Sequence, residues 1–172
     1  MDPIYTFTAP VFIKALGGLR GVLEKGKAHL AESGQSESDF LGMRLAPDMF
    51  PLVRQVQIAT DNAKGAAARL TGGEAPKMED NETTIDQLLA RIDKTIEYVK
   101  SVPESAYAGA ADRHIVLPYF PGKYLTGFDY AREYALPNFF FHVTVAYALV
   151  RHQDVEIGKG DYINGLSLKD GQ

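Results

Sequence analysis

His142 is the side chain of this sequence that is best placed to do chemistry. It stands in the run PNFFFHVTVAYALVRH at residues 137–152. Apolar residues recur there at helical spacing, and at about 100° per residue His142 falls on the shoulder of the apolar face. A neutral imidazole near pH 7 can accept or donate a proton, so His142 is the best candidate for a catalytic acid or base. The alternative is a core histidine that only hydrogen-bonds to a neighbouring helix.

Three polar side chains form a second pattern upstream. Asp48, Gln55 and Asn62 recur every seven residues in a predicted helix over 48–70, for which Asp48 is the expected cap. Polar groups that half face a core need partners or a ligand. With His142 and Tyr147 they make a candidate ligand-binding set.

A charged segment follows the histidine helix. Arg151 and Lys159 flank RHQDVEIGKG, and either could bind an anion or an acid of a second subunit. A helix end and turn closed by the glycines would explain the same residues equally well.

Four amphipathic helices must position these groups. Helical periodicity, with the glycines, prolines and capping residues that end or start helices, predicts helices over 3–31, 48–70, 84–102 and 138–153. We expect Pro10 to bend the first helix or to restart it, and residues 33–47 to form a linker. Thr84 and Gln87 form a capping box for the third helix. Residues 104–128 favour a short β-hairpin or an extended excursion, followed by a brief helical turn over 129–136. The fold class is therefore all-α, in one domain over 1–172 with a flexible tail at about 166–172.

The bulk composition excludes several functions. The 172 residues carry a net charge of −4, with no cysteine, which argues against nucleic-acid binding, disulfides and thiolate chemistry. The start of the chain lacks a signal-peptide pattern, and no apolar run is long enough to span a membrane. We expect a cytoplasmic protein. No glycine fingerprint, Gly-x-Ser-x-Gly elbow or paired carboxylate indicates a known reaction.

The two helical stretches resemble a known family. PNFFFHVTVAYALVRHQDVEIGKGDYING and LAPDMFPLVRQVQIATDNAK are similar to an uncharacterised bacterial family called domain of unknown function 1993, within the DinB/YfiT-like metalloenzyme superfamily. The resemblance covers nearly the whole chain and implies a DinB-like four-helix bundle and a homodimer. It also implies a divalent-metal site built from one histidine of helix two and an HxxxH pair of helix four.

The metal-ligand pattern is incomplete here. His142 matches the first histidine of the pair, but Ala146 stands four residues on, and the second helix contains no histidine. His142 with Asp48 would be a weak metal site, so we expect no cofactor. Three hypotheses remain: a small-ligand-binding bundle, a metal-dependent enzyme with altered ligands, and a structural or stress-related homodimer without catalysis.

Overall fold

A computed structural model describes residues 2–171.

The first helix, α1 (Pro3–Ser33), has a strong cap at each end. The Asp2 carboxylate accepts hydrogen bonds from the backbone N–H groups of Ile4 and Tyr5 at 2.8 and 3.1 Å. At the other end, Gly34 takes the left-handed conformation with φ 69°. The helix is continuous through Pro10, so Pro10 does not divide it.

The next two helices correct the sequence-based boundaries. Residues 33–47, predicted as a linker, contain a short helix, α2 (Glu37–Gly42). The following helix, α3 (Leu52–Thr71), starts after Pro51, so the prediction that Asp48 caps it is wrong. Asp48 is exposed in the preceding turn. The start is fixed instead by a tertiary contact, because the Leu52 N–H donates to the Met43 carbonyl at 3.0 Å.

The fourth helix, α4 (Ile85–Ser101), matches its prediction. The Thr84 side chain accepts from the Gln87 N–H, and the Gln87 side chain accepts from the Thr84 N–H, which is the expected capping box. A buried stripe faces the core: Ile85, Leu88, Leu89, Ile92 and Val99.

The connection from α4 to the last long helix contains the predicted hairpin. Two 3₁₀ turns (Glu104–Tyr107 and Ala110–Asp112) lead into β1 (His114–Ile115), which pairs antiparallel with β2 (Leu125–Thr126). The chain then stays helical, through α5 (Gly127–Asp129), a π-helical segment (Tyr130–Ala135) and α6 (Leu136–His152). The predicted separate turn and the helix start at 138 are therefore one continuous helical run. A short final helix, α7 (Lys159–Ile163), was not predicted.

Contacts between named pairs give the directions of the long helices. Ion pairs Arg20–Asp93 and Lys27–Asp86 show that α1 and α4 are antiparallel. Phe12 packs on Phe139, and a Cβ on Gly26 would lie 3.7 Å from Val150, so α1 and α6 run in the same direction. Helix α3 is antiparallel to α6, as Gln55–His142 and Arg69–Tyr130 show. The bundle thus runs up, down, down, up, with the order α1–α4–α3–α6 around its axis.

The glycines of α1 allow α7 to cover the groove between α1 and α6. A Cβ on Gly18 would lie 2.8 Å from the Tyr162 carbonyl oxygen, so only glycine permits this close backbone approach. Within the described residues 2–171, no helix combines the length and apolar character needed to cross a membrane.

Candidate functional site

The candidate site lies where α6 faces the first turn of α3. His142 Nδ1 is 2.7 Å from Gln55 Oε1, and Gln55 Nε2 donates to the Phe50 carbonyl at 2.9 Å. The two side chains are nearly inaccessible, at 7% exposure for His142 and 1% for Gln55. The structure therefore brings together two residues of the predicted set, in one hydrogen-bonded chain that ends on the backbone.

The direction of this chain fixes the tautomer of His142. A carbonyl oxygen can only accept, so Phe50 must receive an N–H of Gln55, which leaves Gln55 Oε1 facing the imidazole. His142 Nδ1 must then carry the proton, and the lone pair of a neutral ring is on Nε2. Burial, and next the positive charge of Arg54, lower the pKa of His142, which favours this neutral form.

His142 Nε2 has no hydrogen-bond partner among residues 2–171, and it is not among the fully buried side-chain N or O atoms that lack one there, of which the Tyr107 hydroxyl is the only example. The lone pair of Nε2 is therefore unpaired within the described chain, on a side chain that keeps 7% of its surface exposed.

Two exposed aromatic rings lie in this region, one beside His142 and one beside Arg54. The Phe141 ring is perpendicular to the His142 ring, with centroids 5.2 Å apart, and the Arg54 guanidinium lies 5.9 Å from the Phe50 ring centroid. Phe50 and Phe141 are both 53% exposed. A hydrogen-bond acceptor beside apolar rings suits a small ligand that has one protic group on an apolar body.

The other predicted site residues are not part of the hydrogen-bonded chain from His142 to Phe50. Asn62 lies two turns beyond Gln55 on α3, is 8% exposed, and makes no side-chain hydrogen bond within the described chain. Asp48 lies outside the helix, so the seven-residue series begins at Gln55. Tyr147 packs edge-on against Tyr162 of α7, with ring centroids 5.7 Å apart, and does not contact Gln55.

The two predicted anion or subunit contacts lie beyond this region. Arg151 is exposed and donates to the Val155 carbonyl at 3.4 Å, which closes the end of α6. Lys159 is the exposed first residue of α7. An anion or subunit contact at Arg151 and Lys159 stays a prediction.

The residues around His142 do not fit a DinB-type metal site. Ala146, four residues on, is fully buried and has no ligating atom. The Gln55 oxygen, which could otherwise ligate, is occupied by the Nδ1 proton of His142. Among residues 2–171 no group of three or more His, Cys, Asp or Glu side chains could hold a metal ion. One imidazole and one engaged amide are not a transition-metal donor set.

Two cavities lie elsewhere in the molecule. One, of about 730 Å³, lies between residues 76–82 and the outer face of α4, and the other, of about 240 Å³, lies within the β-hairpin. Neither is lined by His142, Gln55 or Asn62. The cavity that we expected between α3 and α6 stays a prediction.

A buried arginine is the main feature that the sequence reading missed. Arg91, whose charge alone would favour a solvated position on α4, is only 3% exposed. It donates to Thr60, Asp61 and Glu82 at 2.7, 2.6 and 2.9 Å. Its position between the buried Leu88 and Thr95, on the same helical face, was the available clue.

Fold and site together define an up-down-down-up four-helix bundle with a neutral histidine between antiparallel helices. Residues 4–163 match the family described as Domain of unknown function (DUF1993), and the chain belongs to that family. It is also similar to a protein of known crystal structure, a DinB family member from Shewanella denitrificans solved at 1.83 Å resolution. The two are 42% identical with a TM-score of 0.93, over 97% of this chain and 95% of that one. These matches confirm the predicted DinB-like fold. No functionally curated protein matches the chain.

Proposed function

We propose that this protein binds a small protic molecule against His142, on the side of the bundle where α3 and α6 meet. The observation that carries the proposal is the chain from His142 through Gln55 to the Phe50 carbonyl. It keeps Nδ1 protonated and leaves the lone pair of Nε2 free. A neutral imidazole nitrogen without a protein partner can accept a hydrogen bond from a ligand.

The chemistry of this site is hydrogen-bond acceptance, with proton transfer as its natural extension. Nε2 can accept a hydrogen bond from a hydroxyl or a thiol, and it can take the proton when the ligand is acidic enough. Gln55 stabilises the ring orientation but, as a neutral amide, contributes no charge. We name no nucleophile and no reaction, and the proposed function requires no metal or cofactor. The absence of cysteine fits a reducing compartment, and we place the protein in the cytoplasm.

Titration with phenol and anisole tests the proposal. The two molecules have similar shape, but only phenol has a hydroxyl to donate. Long-range ¹H–¹⁵N NMR spectra of the histidine rings should show the Nδ1-protonated tautomer of His142. Phenol should shift the Nε2 resonance in a saturable way, whereas anisole should leave it unchanged.

The variant His142→Phe keeps an aromatic ring of similar size and removes the acceptor. Followed through the backbone ¹H–¹⁵N signals around Gln55, which both proteins have, the variant should respond alike to phenol and anisole. Equal responses to both molecules in the unmodified protein, or an Nε2-protonated tautomer, would refute the proposal and favour a structural role for His142.

A homodimer is a second proposal, and the exposed rings support it. Phe141 leaves about half of its surface in solvent on the outer face of α6, and Phe50 does the same before α3. Exposed large apolar groups beside one another mark interaction surfaces. A second subunit placed on this face would cover the rings and wall the His142 site.

A further inference from the structure

Arg69 differs from the other arginines in having most of its donors free. Within residues 2–171 it has no carboxylate at ion-pair distance, and its only hydrogen bond runs from Nη1 to the Tyr130 hydroxyl at a long 3.4 Å. Four other arginines pair with carboxylates: Arg20, Arg54, Arg91 and Arg132. Three more donate to backbone carbonyls: Arg44, Arg113 and Arg151.

Gly65 makes room for the guanidinium of Arg69. A Cβ at this buried glycine would lie 2.6 Å from Arg69 Nη1 and 3.6 Å from its Cζ. The guanidinium therefore folds back over α3 by one turn and rests where any other residue would place a side chain. The guanidinium is thus held against the backbone of α3, while most of its donors have no acceptor among residues 2–171.

Two more donors lie at the same position. Tyr130 is 0% exposed, and its hydroxyl accepts from Arg69, so its own proton has no acceptor in the described chain. Burial raises the pKa of Tyr130 despite the nearby Arg69, so the hydroxyl keeps that proton. Asn62 stands three residues before Gly65 on the same helical face, more than nine-tenths buried, with an amide that has no partner in residues 2–171.

An interaction of the Arg69 charge with the free carbonyls at the end of α3 does not explain the position of its guanidinium. A cation in the last turn of a helix is stabilised by the free carbonyls there. Arg113 already fills that role, since its Nε donates to the Leu70 carbonyl at 3.1 Å. The Arg69 guanidinium is turned away from those carbonyls, towards Gly65.

We propose that Arg69, Tyr130 and Asn62 form a binding site for a small oxyanion, a carboxylate or a phosphate, over Gly65. All three groups are donors, and the guanidinium fork matches two oxygens of one anion. The site is separate from the one at His142, because Gly65 is ten residues from Gln55, about 15 Å along α3. A failure of either proposal therefore leaves the other standing.

The test is titration with sodium benzoate and with inorganic phosphate, each at constant ionic strength balanced by sodium chloride. ¹H–¹⁵N spectra follow the Gly65 backbone amide, the Asn62 side-chain amide and the Arg69 Nε–H. We expect saturable shifts of these three signals with at least one oxyanion and none with chloride alone. Response to benzoate only assigns a carboxylate ligand, response to phosphate only assigns a phosphate, and response to both assigns an unselective oxyanion site.

Gly65→Ala is the most informative variant. The added methyl meets only the flexible end of Arg69, so the helix should fold, and alanine favours a helix over glycine. The methyl displaces the guanidinium, and we expect binding at least about tenfold weaker although the charge remains. Arg69→Met should lose binding as well.

Gly21→Ala is the matched control, because nothing lies within 4 Å of a Cβ at this second helical glycine. It should bind the anions as the unmodified protein does. Undiminished shifts in both Gly65→Ala and Arg69→Met, equal shifts with chloride, or no shift with either oxyanion would overturn the proposal.

Discussion

The imidazole of His142 is oriented by Gln55, and the Gln55 amide is oriented in turn by the Phe50 carbonyl. Each link has one donor and one acceptor, so reversal of one link would leave a buried polar atom unpaired. An unpaired buried donor or acceptor costs about 1–3 kcal/mol. The tautomer of His142 is thus determined by the Phe50 backbone carbonyl, two hydrogen bonds away.

This environment predicts a pH-dependent stability. Burial and Arg54 lower the pKa of His142 from 6.5 in the folded protein, so on acidification the unfolded chain takes up a proton first. The unfolded state binds more protons in that range, and the free energy of unfolding falls as the pH drops below about 6.5. Urea unfolding of the unmodified protein and of His142→Gln, between about pH 7.5 and pH 5.5, measures this loss.

The variant His142→Gln should lose less stability over this interval, while the exposed His152→Gln should behave as the unmodified protein does. Parallel pH profiles for all three proteins would show that His142 is not the responsible group.

For single residues, the sequence predicts which side chains lie near the core but not the partners that they contact. Helical periodicity placed His142 and Gln55 on shoulders of their helices, and both are in the site. It could not place Asp48, because the start of α3 depends on the hydrogen bond from the Leu52 N–H to the Met43 carbonyl. Met43 lies outside the helical pattern from which the start was predicted. Periodicity also could not reveal the Tyr162 partner of Tyr147, because Tyr162 belongs to a helix too short to show a pattern. A ligand contact at Tyr147 stays a prediction.

Among the elements, the segment 74–84 is anchored to the bundle by the guanidinium of Arg91. Within this segment Arg91 contacts the Glu79 carbonyl, Asp80 and Glu82, and on α3 it contacts Thr60 and Asp61. Burial by itself would raise the pKa of Asp80, but hydrogen bonding to Arg54 and the charge of Arg91 outweigh it and lower the pKa. The charge of Arg91 therefore stabilises the ionised carboxylates, and the carboxylates stabilise the buried guanidinium.

We predict that Arg91→Met destabilises the protein by about 3–5 kcal/mol, because the nearly buried Glu82 loses the only cation that it pairs with among residues 2–171. Chemical unfolding measures the change. Arg132→Met is the control, since Arg132 pairs with Asp129 and Glu133 at an exposed position. Equal small losses for the two variants would contradict a buried, coupled network.

The junction between the hairpin and α6 depends on Gly127. A Cβ there would lie 1.8 Å from the Ala110 carbonyl oxygen, which belongs to backbone and cannot move alone. We predict that Gly127→Ala costs on the order of 2–3 kcal/mol, as overpacking does. Thermal unfolding beside Gly21→Ala separates this clash from helix propensity, because Gly21 has free space and should tolerate alanine. A Gly127→Ala protein as stable as the Gly21→Ala protein would show that the contact can relax.

The elements differ in how far local sequence specifies them. Helix α4 was predicted well because its cap, its apolar stripe and its terminating Pro103 are all local. The π-helical segment and α7 were not predicted, since their stability comes from contacts with α3 and with the glycines of α1. The burial of Arg91 likewise required knowledge of where residues 74–84 lie.

For the whole molecule, periodicity gives four helices but not their directions. Both up-down-up-down and up-down-down-up bundles bury the same stripes, and only the length and path of the connections distinguish them. Helices α3 and α4 run in the same direction, so residues 72–84 carry the chain back along the bundle from the end of α3 to the start of α4. The excursion over 104–128 then joins α4 to α6 at the end of the bundle where α1 begins. The family resemblance predicted a DinB-like four-helix bundle, but not these directions.

The exposed Phe141 on the outer face of α6 predicts that two copies of the bundle form a homodimer through this face. The net charge of −4 is too small to keep copies of the chain apart at physiological ionic strength. Light scattering coupled to gel filtration should give a mass near twice 18.9 kDa for the unmodified protein. Phe141→Glu should give a monomer, because a buried carboxylate without a partner opposes association.

Phe120→Glu is the matched control for this experiment. Phe120 lies in the hairpin loop and is 52% exposed, against 53% for Phe141, so the two substitutions change surface polarity equally at different places. We expect Phe120→Glu to remain a dimer. Dissociation by Phe120→Glu alone would instead place the subunit contact at the hairpin, and the His142 site would then remain open to solvent in the dimer.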